Sequence, residues 1–176
     1  MGLPLVFAWL LVAGVSNAGA FVSLTVKTVR ADRKESKSWQ TSWGSYHKRV
    51  RRSRSLDIRV RNMSQDDING QLCIYYFGKA FTGGRRAYPL LHTTTKPLLL
   101  ETKKTVHVLE KSPPFTRNVQ NYAALRERYA QGRIADGWLV CVRGEDGEVL
   151  KAKGSTVPVE QLIKNGKLAK MLEKQN

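Results

Sequence analysis

The sequence predicts a mainly β protein, built as a two-sheet antiparallel sandwich with a short mid-chain helix and a C-terminal helix. Short segments of alternating apolar and polar residues recur along the chain, and clusters of turn-forming residues separate them about every ten residues. Apolar residues make up 41% of the 176 residues, which is enough for a packed core. Six or seven short strands of this kind favour a sandwich, with a closed barrel as the alternative.

The N-terminal segment has the composition of a secretory leader. An uncharged stretch from Leu3 to Val15 precedes the small residues Ser16, Ala18 and Ala20, a pattern typical of a cleavage site. The stretch is shorter than the roughly 20 residues that span a bilayer, and no Lys or Arg precedes it. We expect residues 1–20 to be a signal peptide and residues 21–176 to form one domain, exported to the periplasm, the cell surface or the medium. A buried first strand and an uncleaved anchor are the alternatives.

Two half-buried strands are predicted in the first half of the mature chain. Val22, Leu24 and Val26 alternate with polar residues, and a polar stretch rich in Lys, Ser and Trp follows over residues 30–45. The segment Leu56-Asp-Ile-Arg-Val-Arg-Asn62 alternates in the same way. A turn is expected over residues 63–70, followed by a strand at Gln71-Leu-Cys-Ile-Tyr-Tyr-Phe77 that is apolar on both faces, as a central strand would be.

The second half predicts weaker strands and one clear hairpin. Gly83-Gly84 indicates a turn, and strands are expected around residues 96–100 and 104–109. Ser112-Pro-Pro114 should end the sheet or place this strand at an edge, because proline donates no ladder hydrogen bond. Residues 138–143 and 148–152 read as a hairpin with its turn at Gly144-Glu-Asp-Gly147.

Two helical segments are predicted. Asn118 is a suitable cap, and Tyr122, Leu125 and Tyr129 recur at helical spacing before Gly132, so a helix is expected over residues 118–132. A helical tail is expected over 157–175. Pro158 fits its first turn, an apolar stripe follows, and Asn165-Gly166 interrupts it.

Several of these segments together resemble immunoglobulin-like or fibronectin-type-III-like modules. The strand 56–62 is joined by an Asn/Ser/Asp/Gly-rich turn to a strand that ends in Tyr-Tyr-Phe, and Gly137-Trp-Leu-Val-Cys-Val-Arg143 follows later with its own hairpin. The pattern is similar to that of small exported bacterial immunoglobulin-like proteins of uncharacterised function, and it covers most of residues 21–172. The resemblance implies a binding or structural module, associated with pilus or surface assembly, and it carries over no catalytic residue.

Two cysteines, Cys73 and Cys141, permit one intramolecular disulfide in an oxidising compartment. In a sandwich of the resembled kind their strands would be neighbours within one sheet, so a bond would be cross-strand and would require the two residues to face each other. Two separate buried thiols are the alternative.

The chain is strongly basic, with 30 Lys and Arg against 14 Asp and Glu and a formal charge of +16. Such a surface attracts polyanions, and the alternative is a basic surface that is only solvated. One aromatic and cationic segment is a candidate binding surface for an acidic polymer. Aromatic rings stack on sugars or bases, and the guanidinium groups of arginine bind phosphate, sulfate or carboxylate. The residues of this segment are Trp39, Trp43, Tyr46, Lys48, Arg49, Arg51, Arg52 and Arg54. The alternative is that the two Trp pack on the sandwich and the cations coat an exposed loop or strand.

No motif for catalysis is present. The three histidines, His47, His92 and His107, are far apart and none has a partner at metal-ligand spacing. The acidic pairs Asp66-Asp67 and Glu145-Asp146 lie in turns. Nucleotide-binding loops and nucleophile elbows are absent from the sequence.

We therefore expect a non-catalytic exported envelope protein that acts as a binding or scaffolding module for another envelope component. A binder of acidic polysaccharide, lipid head groups or nucleic acid through the Trp/Arg segment is the alternative. We expect no cofactor, no metal, no specific nucleic-acid recognition and no transmembrane span in the mature chain.

Overall fold

A computed structural model describes residues 21–40, 45–82, 85–122, 127–133 and 135–173. Eleven strands and two short helices follow one another in this part of the chain, and the protein is mainly β. The strands are β1 Val22–Gln40, β2 Ser45–Asn62, β3 Ile68–Phe77, β4 Ala80–Thr82, β5 Arg85–Ala87, β6 Leu90–Leu100, β7 Thr105–Lys111, β8 Phe115–Tyr122, β9 Glu127–Gly132, β10 Gly137–Gly144 and β11 Val149–Gly154. The helices are α1 Val157–Lys164 and α2 Lys167–Glu173.

The first sheet is organised around one long strand, β2. Strand β1 pairs antiparallel with the whole of β2, from Val22 opposite Asn62 to Gln40 opposite Ser45, with a bulge between Thr28 and Arg30. The other edge of β2 is shared, because β7 pairs with its residues 55–61 and β8 with its residues 45–52. Strand β9 then pairs with β8. The polar stretch after Val26 therefore continues as strand rather than leaving the sheet.

The second sheet has the strand order β11-β10-β3-β6, and all its pairs are antiparallel. Strand β3 lies in its centre, and Leu72 to Phe77 are buried whichever face they point to. This confirms the prediction of a central strand that is apolar on both faces. The hairpin between β10 and β11 is also confirmed, and Gly147 adopts φ +81° in its turn, a conformation that glycine adopts without strain.

The two sheets pack face to face over a shared core. Val22, Leu24 and Val26 on β1 and Leu56, Ile58 and Val60 on β2 meet the inward residues of β3, β6 and β10. Trp138 joins this core, and its indole Nε1 donates a hydrogen bond to Thr28 Oγ1 at 3.2 Å, beside the bulge of β1. In these parts of β1 and β2 the alternation read from the sequence thus places one face in the core and the other toward solvent.

The two C-terminal helices cover the outer face of the second sheet. Val159, Leu162 and Leu168 pack on a second apolar cluster that contains Cys73, Tyr75, Phe77, Leu139 and Cys141. This explains why β3 and β10 are buried on both faces. The predicted helical tail and its interruption at Asn165-Gly166 are confirmed, with Pro158 in the first turn and Gly166 at φ +64°.

The mid-chain helix predicted over residues 118–132 is wrong. This part of the chain forms the antiparallel strands β8 and β9, with residues 123–126 between them outside the described residues. The second edge of β2 beyond Ser53 would otherwise present unpaired backbone groups, and β8 satisfies them while it buries Val119. Tertiary pairing therefore overrides a short helical periodicity.

Of the two outcomes predicted for Ser112-Pro-Pro114, the edge position is the one found, because β7 pairs with β2 alone among the described strands and the sheet continues beyond the prolines. Ser112 keeps the alignment across the break: its N–H donates to Arg54 O at 2.8 Å, and its Oγ accepts from Arg54 N at 2.9 Å. Pairing with β2 resumes at Phe115, so β7 and β8 run along one edge as an interrupted strand.

Two predictions fall partly or wholly on residues outside the described ranges. The signal peptide, residues 1–20, lies outside them. The Gly83-Gly84 turn does too, although β4 and β5 on either side of it pair antiparallel. Within the described ranges, neither helix has the length and apolar character needed to cross a bilayer.

Candidate anion-binding surface

The paired strands β1 and β2 are here called the β1–β2 ribbon. Two aromatic residues of the Trp/Arg segment lie at the end of the ribbon where β1 finishes and β2 begins. Trp39 on β1 is paired in register with Tyr46 on β2. The orientations of these two side chains, and the whole of Trp43, lie outside what the structure describes. The ribbon register therefore brings two of the three aromatic positions together, one on each strand.

The cations of the segment are divided between the two faces of the ribbon, because successive residues of a strand point to opposite sides. Lys48, Arg52 and Arg54 lie on the face of the buried Val50, which continues the core side of β2; we call this the inner face. Arg49 and Arg51 lie on the opposite, outer face and are exposed. The segment therefore does not present one continuous patch of cations.

Ion pairs neutralise much of the inner face. Lys48 Nζ lies 2.9 Å from the carboxylate of Glu35, which also pairs with Arg33. The hydrogen bond from Lys48, followed by that from Arg33, lowers the pKa of Glu35 below its ordinary value. Arg52 pairs with Asp136 at 3.3 Å. These cations stabilise local structure and are less available to a ligand.

Arg54 holds the chain that leads into β10. Its Nε donates to Ala135 O and its NH2 group donates to Asp136 O, both at 3.2 Å. Burial, more than the neighbouring Arg52, lowers the pKa of this guanidinium. Arg54 therefore has a structural role, although the sequence placed it with the binding cations.

The outer face carries cations that the sequence prediction did not include. Lys34 lies directly opposite Arg51, and Ser36 lies opposite Arg49. Among the residues that the structure describes, Lys34, Arg49 and Arg51 form no ion pair. Their charges are available to an anion in solvent. Alternation continued from Val26 would have placed Lys34 on the core side of β1, and the bulge between Thr28 and Arg30 moves it to the outer face.

An open groove of about 540 Å³ lies beside these cations. It is lined by Arg30, Asp32, Arg33, Lys34, Arg51, Ser53, Lys111 and Pro114. Five of these residues are cationic and one is a carboxylate. The groove runs across β1 and β2 to the end of β7, where Lys111 is paired in register with Ser55.

The carboxylate among these lining residues, that of Asp32, is already engaged. Asp32 Oδ1 lies 2.6 Å from Arg30 Nε, and its Oδ2 lies 3.3 Å from Lys111 Nζ. The hydrogen bond from Lys111 is the largest cause that lowers the pKa of Asp32, and Arg30 contributes in the same direction. Asp32 is therefore ionised at neutral pH. Its two partners are Arg30 and Lys111, which leaves Lys34 and Arg51 without an acidic partner among the residues that the structure describes.

Guanidinium and ammonium groups held by two paired strands suit the recognition of phosphate, sulfate or carboxylate groups. Successive cations on one strand face are separated by two residues, or roughly 6.6 Å. Arg49 and Arg51 are spaced in this way, and this spacing suits a repeating chain of anionic groups more than one isolated anion.

The histidines and carboxylates form no metal-like cluster in the described ranges. His107 Nε2 lies 2.6 Å from Asp57 Oδ1 on the solvent side of β2 and β7. His92 stacks on Tyr76, with ring centroids 6.3 Å apart. These two side chains occupy different sheets.

The two cysteines lie in neighbouring strands, as the resemblance implied. Cys73 on β3 is directly opposite Cys141 on β10. Both side chains are buried, and both thiols are free in this structure.

Comparisons with known proteins find no matching protein family and no matching curated protein. Among solved structures, the chain is similar to β-glucosidase from Kluyveromyces marxianus, at 13% identity and a TM-score of 0.34, over 77% of this chain and 14% of that one. It is also similar to Northeast Structural Genomics Consortium target SoR45, at 12% identity and a TM-score of 0.33, over 78% of this chain and 87% of that one. A calcium-binding mutant of Bacteroides uniformis β-glucuronidase 2 matches at 12% identity and a TM-score of 0.33, over 66% of this chain and 13% of that one. The chain thus spans about one seventh of the length of the two glycosidases.

Proposed function

We propose that this protein is a non-catalytic envelope module that binds an acidic polymer along the outer face of the β1–β2 ribbon. The observation that carries the proposal is the row of cations Lys34, Arg49 and Arg51, which have no ion-pair partner in the described part of the chain and lie next to the cationic groove. These residues differ from Lys48 and Arg52 on the inner face, whose charges are engaged by Glu35 and Asp136.

Rigidity favours this surface over a flexible basic loop. Arg51 and Arg49 lie in the middle of the first sheet, because β2 is paired with β1 on one side and with β8 on the other. The backbone positions of these cations are therefore set before a ligand arrives, which reduces the entropy that binding must offset.

The strand order supports an immunoglobulin-like topology, which is part of the proposal. In that fold strands C, F and G share a sheet, and strands A, B and E lie in the other. The order β11-β10-β3 corresponds to G-F-C, and β1 and β7 on either side of β2 correspond to A and E beside B. Strands β8 and β9 would then be an insertion between E and F that widens the first sheet beside residues 45–52 of β2.

Export belongs to the same proposal. It rests on the uncharged stretch from Leu3 to Val15 and the small residues that follow it. N-terminal sequencing of the protein recovered from its native cells tests it, and we expect a mature chain that begins at Phe21. A chain recovered with residues 1–15 intact would refute the leader.

The binding proposal is tested with heparin, a sulfated polysaccharide, as the probe. We expect Arg49→Gln/Arg51→Gln to weaken binding at least about tenfold, since each lost charge-assisted contact is worth about 1 kcal/mol at an exposed site. The control is Lys167→Gln/Lys170→Gln, which removes the same charge from α2, on the far side of the second sheet. We expect this control to bind within about twofold of the unsubstituted protein.

Circular dichroism and thermal unfolding of both variants confirm that each is folded before binding is compared. Equal weakening by the two variants would show that net charge, and not the ribbon surface, determines binding. No measurable binding of heparin at low salt by the unsubstituted protein would reject the polymer proposal.

A further inference from the structure

We propose that Cys73 and Cys141 are a redox pair that closes into a single cross-strand disulfide beneath the C-terminal helices. The inference is independent of the basic ribbon, because the two cysteines lie in the second sheet and the ribbon belongs to the first.

Register is the first reason for the pairing. Cys73 and Cys141 are direct partners in the antiparallel pair of β3 and β10, with no bulge between these strands. Directly opposed residues have Cα atoms about 4.5–5.5 Å apart, within the range of about 4.4–6.8 Å that a disulfide spans. Opposed residues also point to the same face of the sheet. No backbone rearrangement is therefore needed to bring the two sulfur atoms together.

The surroundings of the pair give the second reason. Both side chains belong to the cluster covered by α1 and α2, with Cys73 3% exposed and Cys141 fully buried. The Thr95 hydroxyl lies 3.9 Å from Cys73 Sγ. Burial, followed by repulsion from Cys73, raises the pKa of the Cys141 thiol to about 12. The influence of one cysteine on the other agrees with their close approach.

Burial also determines when the bond forms. A disulfide is made by exchange: one thiolate attacks the disulfide of a donor such as oxidised glutathione and releases one glutathione thiol. The second cysteine then displaces the other glutathione, so the protein loses two hydrogens and the donor gains them. In the folded chain the raised pKa of Cys141 keeps its thiol protonated, and α1 and α2 cover both cysteines and block the approach of the donor. Exchange is therefore expected before α1 and α2 dock, in the unfolded chain where the thiols have their ordinary pKa near 8.5.

Refolding in a glutathione buffer tests this proposal. The reduced, denatured full chain is refolded with oxidised and reduced glutathione, denatured again without reductant, and treated with N-ethylmaleimide. Mass spectrometry should show no added maleimide, a mass two hydrogens below that of the reduced chain, and one linked peptide that contains both cysteines. Two maleimide labels, or only glutathione adducts, on the refolded chain would overturn the proposal.

A second measurement uses protein that has never been unfolded. The folded reduced chain is expected to react with maleimide at least about 100-fold more slowly than the denatured chain, because its thiols are buried. With oxidised glutathione it should reach the same internal disulfide, over the longer time that local opening requires. Rapid labelling, or formation of a stable glutathione adduct at Cys73, would contradict the geometry. Heparin binding should be equal for the reduced and oxidised forms, so failure of one proposal leaves the other testable.

Discussion

The salt dependence of heparin binding is the sharpest consequence of the outer-face geometry. Each cation that neutralises an anionic group releases counterions, and for single-stranded nucleic acid the slope of log K against log salt is about −0.7 per contact. Three outer-face cations lie together on the paired strands, Lys34, Arg49 and Arg51, and none of them forms an ion pair among the described residues. Taking the same value per contact for heparin, we expect a slope of about −2. Affinity should then fall about 20-fold between 50 and 200 mM salt.

Fluorescence anisotropy with labelled heparin across a series of salt concentrations measures this slope. The Arg49→Gln/Arg51→Gln variant retains one of the three cations, so its slope should be about −0.7 and its affinity should fall only about threefold over the same range. The Lys167→Gln/Lys170→Gln control should keep the slope of the unsubstituted protein. A slope near zero for the unsubstituted protein, or one unchanged in the Arg49/Arg51 variant, would refute the assignment of these residues.

Three further predictions concern the groove and the core. Asp32→Asn should strengthen heparin binding severalfold in the same assay, because it removes the one carboxylate among the described residues of the groove and frees the two cations that it holds. Because the pKa of Asp32 is lowered below 3.8, the stability that its charge contributes is present above that pH and is lost only as the pH falls further. We therefore expect no change in binding from this carboxyl between pH 5 and 7. A transition in that range, present in the unsubstituted protein and absent in Asp32→Asn, would contradict this prediction. Asn62→Ala should lower the free energy of unfolding by about 3 kcal/mol in urea denaturation, because the fully buried amide makes four hydrogen bonds with the turn 63–67 and β6. The control is Asn69→Ala at an exposed position, which should lower it by less than about 0.5 kcal/mol. Arg54→Met should lower the free energy of unfolding by about 2 kcal/mol by the same method, because the backbone carbonyls of Ala135 and Asp136 lose their donor. The control is Arg61→Met at an exposed position. Equal losses in the two variants would show that these two hydrogen bonds are unimportant for stability.

The fold was predictable where a local pattern and its tertiary surroundings agree. The alternation at Val22, Leu24 and Val26 requires one buried face, and the uninterrupted apolar run from Leu72 to Phe77 requires two. The C-terminal helix was predictable for the same reason, since its apolar stripe needs a surface to cover. In these elements the backbone preference and the burial of side chains favour the same conformation.

Residues 118–132 show where local reasoning fails. Their aromatic spacing favours a helix, but Val119 and the backbone of β8 are used to complete the edge of β2. The availability of that edge depends on the 18-residue length of β2. No window of sequence around Asn118 contains this information, because the partner strand lies some seventy residues earlier in the chain.

The candidate site divides in the same way. Composition located a basic surface, and the cation-rich segment 48–54 contains two of its members, Arg49 and Arg51. The pairing of β1 with β2 added Lys34 and the groove, and it assigned Lys48, Arg52 and Arg54 to the inner face, where ion pairs and hydrogen bonds to backbone carbonyls engage them. Whether a cation is free depends on which acidic groups lie within a few ångströms, and for Lys48 and Arg52 these are Glu35 and Asp136, which are distant in the chain.

The sequence by itself determined the β-rich character of the chain, its basic charge, its central strand and its helical end, because each follows from residues that are neighbours along the chain. Tertiary structure alone decided that Cys73 faces Cys141, that β7 and β8 share one edge of β2, and that the cations divide between two faces. The physical reason is that strand pairing joins residues that are distant in the chain, and its register decides which side chains meet.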